Sequence, residues 1–135
     1  MDKTFHLDII TPTSIESFKD VNYLRIPSLD GLIGIQAKHT AAIIGLNIGE
    51  IKITINGIDT VYSTSGGFAD IKNEGVQLLI ESIELSEKID QNRAQVSLGR
   101  AQKNVKDPSM NIKRAEQSIK RAKNRLILYK KYHNQ

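Results

Sequence analysis

The pattern of apolar and polar residues changes near residue 85 of this 135-residue chain. In the first part, apolar and polar positions alternate with a period of two, most clearly from Ile51 to Ile55. Such alternation is typical of β-strands that bury one face. From residue 86 onward, apolar residues recur every three or four positions, which predicts amphipathic helices. The sequence thus predicts two parts with different architectures.

The first part carries turn residues between its short apolar runs. Asn56-Gly57 follows the alternating run, and this pair tolerates the positive φ angles of a type I′ turn, so we expect Ile58–Tyr62 to return as the hairpin partner. Further strand-like runs are Phe5–Ile10, Val21–Ile26, Leu32–Ile35 and Val76–Glu81. Many short strands joined by turns are typical of a sandwich or a small barrel. We therefore predict an N-terminal antiparallel β-sandwich over residues 1–85.

The second part carries two narrow apolar stripes at helical spacing. Their members are Ala94, Leu98, Ala101 and Val105 on the first helix and Ile112, Ala115, Ile119, Ala122, Leu126 and Tyr129 on the second. Asp90 is placed to cap the first helix, and Asp107 is placed to cap the second, with Pro108 at its first position. We predict a C-terminal antiparallel helical hairpin over residues 86–135, and hence an α+β fold, with a thin seam rich in alanine.

The charges divide at the same place as the hydrophobic pattern. Residues 1–85 hold 6 basic and 11 acidic side chains, whereas residues 86–135 hold 13 basic and 4 acidic ones. A basic half of this kind indicates an acidic surface or a polyanion as its partner. The chain has no cysteine and 3 histidines, so we expect no disulfide and no zinc cluster. No apolar run approaches the ~18 residues of a membrane span, and the start lacks the order of a signal peptide, so we expect a soluble cytoplasmic protein.

Four motifs, taken in order, carry a family resemblance. They are Leu7-Asp8-Ile9-Ile10-Thr11-Pro12, Asp30-Gly31-Leu32-Ile33-Gly34-Ile35 followed by His39, Ser65-Gly66-Gly67-Phe68, and Ile89-Asp90-Gln91-Asn92-Arg93-Ala94. Each is weak alone, but their order and spacing extend over nearly the whole chain. With them the chain resembles the epsilon subunit of bacterial F-type ATP synthases, a family with an N-terminal β-sandwich and a C-terminal helical hairpin.

The resemblance implies a rotor subunit without catalytic residues. Its expected partners are the gamma subunit of the central stalk, the membrane c-ring and, through the hairpin, the catalytic alpha/beta hexamer. The resemblance also implies a peripheral position at the cytoplasmic face of the bacterial membrane, and a hairpin that inhibits ATP hydrolysis. No cofactor is required, but ATP is a possible regulatory ligand. We also expect His39 and Phe68 at a partner interface.

The Ile-Asp-x-x-Arg-Ala block belongs, in some family members, to a site that binds ATP and holds the hairpin folded. By resemblance, Ile89, Asp90 and Ala94 would line the adenine with Glu84 beside them, and Arg93, Arg100, Arg121 and Arg125 would lie near the phosphates. Arginine suits phosphate because its planar group donates two parallel hydrogen bonds. The alternative is that the four arginines form the solvated flank of a basic hairpin.

Two other classes of protein fit less well. A nucleic-acid-binding protein would explain the basic half, but the only aromatic residues there, Tyr129 and Tyr132, lie at its extreme end. An enzyme lacks a recognisable acid and base pair, metal cluster or nucleophile motif. In particular, Ser65-Gly66-Gly67-Phe68 has neither the Lys-Ser/Thr of a P-loop nor the Gly-x-Ser-x-Gly of a hydrolase, so we expect a tight turn with Phe68 in the core or at an interface.

Overall fold

A computed structural model describes residues 3–106 and 111–133 of the chain. The chain forms two compact units, Met1–Ile83 and Glu84–Gln135. The strands are β1 Phe5–Ile10, β2 Ile15–Val21, β3 Tyr23–Ser28, β4 Gly31–Ile35, β5 Ala42–Leu46, β6 Gly49–Ile55, β7 Ile58–Thr64, β8 Gly67–Lys72, β9 Gly75–Ile80 and β10 Ile83–Leu85. A 3-10 turn, Ser86–Lys88, and the helices α1 Gln91–Lys106 and α2 Ile112–His133 follow. The predicted fold class, a β-sandwich followed by a helical hairpin, is confirmed. The predicted domain boundary at residue 85 concerns independent folding and stays a prediction.

The strands of the first unit are hydrogen-bonded in the order β7-β6-β3-β5-β8-β9-β1-β2, with β4 paired to β3. All of these pairs are antiparallel except one, because β1 and β9 run parallel, with Leu7 opposite Val76 and Ile9 opposite Leu78. The predicted antiparallel β-sandwich thus contains one parallel pair of strands. Hydrophobic alternation defines which residues share a face, but it does not define the direction of the neighbouring strand.

The inward faces of the strands form one aliphatic core. Its largest fully buried side chains are Leu7, Ile9, Leu24, Ile26, Ile35, Ile51, Ile53, Ile71 and Leu78. Ile51 and Ile53 alternate with more exposed residues along β6, as the period of two requires. Burying each such side chain stabilises the fold by about 1.5 to 3 kcal/mol, so this core is the main stabilising feature of the unit.

The predicted hairpin at Asn56-Gly57 is confirmed. Both residues have positive φ angles, 51° and 77°, and Ile55 pairs with Ile58 directly across the turn. These angles are those of a type I′ turn, whose twist matches that of the two flanking strands.

Three strands of the first unit were not predicted from the sequence pattern. β2 is mostly polar and exposed, whereas β5 has apolar residues at successive positions and therefore no clean alternation. β8 begins at Gly67, inside the stretch that we predicted as a turn. The turn itself remains at Gly66 and Gly67, whose φ angles are 99° and 149°, and a β-carbon at Gly67 would lie 2.1 Å from the Leu79 carbonyl oxygen. Only glycine fits this position.

A polar contact joins two strands that are far apart in the order of the sheet. The hydroxyl of Tyr62 on β7 donates a hydrogen bond to Oε2 of Glu16 on β2 at 3.1 Å, and the ring of Phe18 packs edge-on against the ring of Tyr62. Burial raises the pKa of Tyr62 to about 12, with a smaller contribution from the negative charge of Glu16. The contact brings the two ends of the sheet together, so the sheet closes on itself as a sandwich does.

The helices of the second unit begin at capping side chains. The backbone N–H of Arg93 donates to Oδ1 of Asp90 at 3.0 Å, which confirms the predicted cap of α1. In α2 the backbone N–H of Arg114 donates to Oδ1 of Asn111 at 3.1 Å. The predicted cap at Asp107, with Pro108 after it, lies outside the described residues.

The predicted alanine seam is present in the hairpin. Ala94, Ala101, Ala115 and Ala122 are all buried. One member of the predicted stripe was wrong: Ile112 is 53% exposed, because it is the first residue of α2 and lies one turn before Ala115. Leu128, which the stripe omitted, is buried instead.

Candidate functional site

The Ile-Asp-x-x-Arg-Ala block forms the entrance to the hairpin. Ile89 ends the 3-10 turn, where its N–H donates to the carbonyl of Ser86 at 3.4 Å, and its side chain is 4% exposed. Asp90 follows as the cap of α1 and is exposed. Ala94, one turn later, is fully buried. The block therefore presents a carboxylate at the N-terminus of a helix, between two buried apolar residues.

The arginines lie beside the alanine seam. Arg93, Arg100 and Arg121 each directly precede a buried alanine, and all three side chains are exposed. In two antiparallel helices that face each other, the positions just before the seam lie on the same side of the hairpin. Seen from one end, the two chains wind in opposite senses and their seams point in opposite directions, and these two reversals together keep equivalent positions on one side. These arginines therefore belong to one basic face, which we call the arginine face. Arg114, which directly precedes Ala115, also belongs to it, and the repeated Arg-Ala pair was the sequence signal for this residue.

Arg125 differs from the other three predicted arginines. Its Nε donates to Oε1 of Glu84 at 2.7 Å, and its Nη2 donates to Oε2 of the same carboxylate at 3.0 Å. The side chains of Arg125 and Glu84 are 22% and 32% exposed. Within residues 3–106 and 111–131, no carboxylate pairs with Arg93, Arg100 or Arg121. The structure thus pairs Glu84 with Arg125, one of the arginines predicted to lie near the phosphates, and the place of Glu84 beside the adenine stays a prediction.

A second candidate surface lies on the outer face of the sandwich. Register places Gly45, Phe68, Leu79, Ile10 and Ile15 side by side across five neighbouring strands, from β5 through β8, β9 and β1 to β2. The side chain of Leu29 lies over Gly45, because its Cδ1 is 2.8 Å from the place of a β-carbon there. We call these six residues the outer apolar row.

The outer apolar row is exposed although it is hydrophobic. Phe68 is 57% exposed, Ile15 is 68% exposed and Leu29 is 69% exposed. The prediction that Phe68 lies in the core is therefore wrong, and the alternative, a place at an interface, stays a prediction. Contiguous exposed apolar surface of this kind marks interaction sites in soluble proteins.

A polar cluster borders this row on β1. Asp8 lies on the same face as Ile10, and its Oδ1 accepts a hydrogen bond from the hydroxyl of Ser17 at 2.6 Å. Nε2 of His6 lies 2.8 Å from the same oxygen. The hydrogen bond from Ser17 lowers the pKa of Asp8 below its usual value, and His6 contributes in the same direction. The row therefore has a polar rim on one side.

His39 lies in the segment between β4 and β5. Its Nδ1 is 3.0 Å from the backbone carbonyl oxygen of Thr40, and its side chain is half-buried. Lys38, just before it, has a φ angle of 64°, as a tight turn requires. The structure places His39 in a turn, so its part in a partner interface stays a prediction.

Two general features complete the description. Neither of the two described helices combines the length and the apolar character that crossing a membrane requires. Among the described residues, no group of three or more histidine, cysteine or acidic side chains is placed to hold a metal ion.

Comparison with protein-family models covers nearly the whole chain. Residues 4–86 match the β-sandwich domain of the ATP synthase delta/epsilon chain, and residues 87–128 match the long α-helix domain of the same chain. The two models meet inside the 3-10 turn Ser86–Lys88, at the start of the hairpin.

Curated relatives agree with the family models. The chain is 32% identical over 92 residues to the ATP synthase epsilon chain of Roseiflexus sp. (strain RS-1), and this match covers 68% of the chain but just under two thirds, 66%, of that relative. It is 30% identical over 97 residues to the epsilon chain of Desulforamulus reducens, covering 72% and 74% of the two chains. With the epsilon chain of Nitratidesulfovibrio vulgaris (strain DSM 19637) it shares 36% identity over 95 residues, covering 70% and 71%.

Two solved structures share the fold. A chain of the Euglena gracilis mitochondrial ATP synthase, from a structure of OSCP, F1 and c-ring, has a TM-score of 0.76 at 19% identity, covering 90% of this chain and 79% of that one. A chain from the central stalk and c-ring of the Tetrahymena thermophila mitochondrial ATP synthase has a TM-score of 0.66 at 15% identity, covering 96% of both. The nucleic-acid alternative finds no support in these comparisons.

Proposed function

The chain belongs to the delta/epsilon chain family of ATP synthase, as an epsilon chain and hence a non-catalytic subunit, and from this premise we propose that it is a rotor subunit of a bacterial F-type enzyme. Its sandwich would bind the gamma subunit of the central stalk and the membrane c-ring, and so help to couple ion flow to rotation. Its hairpin would regulate ATP hydrolysis. The protein would then be peripheral, at the cytoplasmic face of the membrane.

The outer apolar row is the observation that supports the rotor role most directly. It crosses five strands without a charged residue, and it presents Phe68 near its middle at 57% exposure. Aromatic residues at the centre of an apolar patch with a polar rim are typical anchors of protein interfaces. We assign this row to the gamma subunit, because a permanent partner would keep it covered in the assembled enzyme.

The test is to replace Phe68 by serine in the full chain. Loss of a central anchor weakens an interface by about 2 kcal/mol or more, so we expect binding to purified gamma subunit to weaken at least roughly thirtyfold. Ile58→Ser is the matched control, since Ile58 is 70% exposed but lies at the β6–β7 turn, outside the row. Circular dichroism checks that both variants are folded. Equal binding by Phe68→Ser and wild type would contradict the assignment.

The hairpin carries the regulatory part of the proposal. We assign ATP to the arginine face, with Ile89, Asp90 and Ala94 at the adenine and Arg93, Arg100, Arg121 and Arg125 at the phosphates. The support is geometric: three exposed arginines without a carboxylate partner among the described residues lie on one side of the seam, where an anion would relieve their repulsion. A ligand that binds only the folded hairpin stabilises it by about 2.7 kcal/mol at a hundred times its dissociation constant.

Thermal unfolding with and without millimolar ATP tests this site. We expect ATP to raise the melting temperature of the wild type, and Arg93→Ala and Arg121→Ala to remove most of the shift, because each loses a charge-assisted hydrogen bond of about 1.5 to 3 kcal/mol. Lys123→Ala is the control: it removes the same charge from the other side of Ala122, away from the arginine face. If Arg93→Ala and Arg121→Ala both retained the full shift, the arginines would not be the site.

Inhibition of hydrolysis is tested in the assembled enzyme. A chain that ends after residue 85 should fold, remain bound to the stalk and raise the rate of ATP hydrolysis, because it retains the sandwich and its core but not the hairpin. Release of the truncated subunit from the complex would contradict the predicted division into two domains. An unchanged rate with the subunit still bound would contradict the inhibitory role alone.

A further inference from the structure

The ion pair between Glu84 and Arg125 conflicts with the roles that family resemblance gives to these residues. That assignment places Glu84 beside the adenine and Arg125 near the phosphates. In the structure the two side chains bind each other, through Nε to Oε1 at 2.7 Å and Nη2 to Oε2 at 3.0 Å. Both oxygens of one carboxylate thus occupy one edge of the guanidinium group.

A phosphate group would use the same edge. Arginine binds carboxylate and phosphate alike, with two parallel N–H donors directed at two oxygens. Glu84 therefore offers Arg125 the same chemistry that a nucleotide would offer. While this contact is intact, a phosphate cannot bind the Nε and Nη2 edge of Arg125.

The pair also holds two distant segments of the second unit together. Glu84 lies in β10, at the entrance to the hairpin, and Arg125 lies 41 residues later in α2. Both side chains are more than two thirds buried, so solvent screens their attraction less than that of a fully exposed pair. Any movement of α2 away from the entrance has to break this pair.

We propose that Glu84 is a built-in competitor of the nucleotide. Its carboxylate holds α2 at the entrance to the hairpin when no nucleotide is bound, and ATP reaches Arg125 only by displacing it. The competition raises the ATP concentration at which the hairpin responds. The smaller the fraction of protein that has Arg125 available, the weaker the apparent affinity for ATP. The competition rests on the proposed nucleotide site, whereas the holding of α2 does not.

Glu84→Gln in the full chain tests the competition, because it keeps the shape of the side chain and removes its charge. We expect the dissociation constant for ATP, measured by calorimetry, to fall by about five- to thirtyfold relative to wild type. Glu81→Gln is the control: it removes the same charge from an exposed position three residues earlier and should leave the constant unchanged. Weaker ATP binding by Glu84→Gln, as an adenine contact would give, overturns the competition.

Hydrogen exchange of the α2 amides, measured without ATP, tests the holding of α2. Exchange should accelerate by roughly five- to thirtyfold in Glu84→Gln, the factor expected for the ATP dissociation constant, and remain unchanged in Glu81→Gln. The double variant Glu84→Arg with Arg125→Glu restores the pair in reverse, so it should recover slow exchange but not ATP binding. Wild-type exchange in Glu84→Gln overturns the holding role. If no form of the protein bound ATP, the proposed nucleotide site and the competition would fail, and the exchange result would decide the holding role by itself.

Discussion

The two units of this chain are stabilised by cores of different kinds. In Met1–Ile83 most of the fully buried side chains are large and aliphatic, with Leu24, Ile26 and Ile53 among those at 0–1% exposure. In Glu84–Gln135 the buried positions of the helix seam are alanines, joined by Ile89 and Leu128. The sandwich has a thick core, and the hairpin has a thin one.

The difference follows from the surface that each side chain removes from water. A buried leucine or isoleucine contributes about 1.5 to 3 kcal/mol, whereas an alanine methyl contributes about 0.8 kcal/mol. Polar interactions, such as helix caps and the Glu84–Arg125 pair, therefore make a larger share of the stability of the hairpin. A unit of low stability is also the one that a ligand of modest affinity can shift.

The largest effect is expected in the sandwich core. Leu24→Ala should lower the free energy of unfolding by about 2 to 5 kcal/mol, because the fully buried Leu24 leaves a cavity between β3 and its neighbours. Urea unfolding followed by circular dichroism measures it. Leu29→Ala, at a 69% exposed position, should change the value by less than about 0.5 kcal/mol. Similar losses in both variants would remove the contrast between core and surface.

A smaller effect is expected when the alanine seam is overfilled. Ala101→Leu should destabilise the hairpin by about 1 to 3 kcal/mol, since the helices have to move apart to accept the added atoms. Faster hydrogen exchange in α1 and α2, with unchanged exchange in the strands, would show that the damage is confined to the thin core. Gln102→Leu adds a similar side chain at an exposed position and is the control. Identical exchange in the two variants would mean that the seam accommodates a leucine side chain without moving the helices apart.

The helix caps sharpen the same comparison. Asp90→Ala and Asn111→Ala each remove one capping hydrogen bond, so each should cost about 0.5 to 2 kcal/mol in the hairpin, again measured by hydrogen exchange. Only Asp90→Ala should also weaken ATP binding, since Asn111 is not part of the proposed site. Equal ATP affinity in the two variants would leave Asp90 a structural residue only.

The smallest effect at neutral pH is expected for Tyr62→Phe in the sandwich. Loss of the hydrogen bond to Glu16 should cost about 0.5 to 1.5 kcal/mol. The pH dependence is the sharper measurement. Because the pKa of Tyr62 rises from 10.0 to about 12 in the fold, the unfolded chain loses this phenolic proton first, and the free energy of unfolding falls between these pH values. Below that window Tyr62 is protonated in both states and contributes no slope. Urea unfolding of Tyr62→Phe should show a flatter decline over the same pH range, and parallel curves would contradict the assigned pKa.

The sequence by itself determined features that depend on a few neighbouring residues. Asn56-Gly57 forms its turn because both residues accept positive φ angles, and Asp90 caps α1 because its oxygen reaches a backbone N–H three residues later. The alanine seam followed from helical spacing alone. Family membership also followed from short motifs in order, whereas the roles of the individual site residues came from resemblance and stay predictions.

The tertiary structure decided which distant segments meet. The alternation in β1 predicted its inward residues but not its parallel pairing with β9. The strand β8 was not predicted, because it begins at Gly67, within the stretch expected to form a turn. Phe68 faces outward because Ala69 and Ile71 occupy the core side of β8, while Asp70 and Lys72 share the outward face with Phe68. Glu84 and Arg125 are 41 residues apart, so only the packing of α2 brings the carboxylate to the arginine. Backbone preferences act over a few residues, while pairing and packing depend on the whole folded chain.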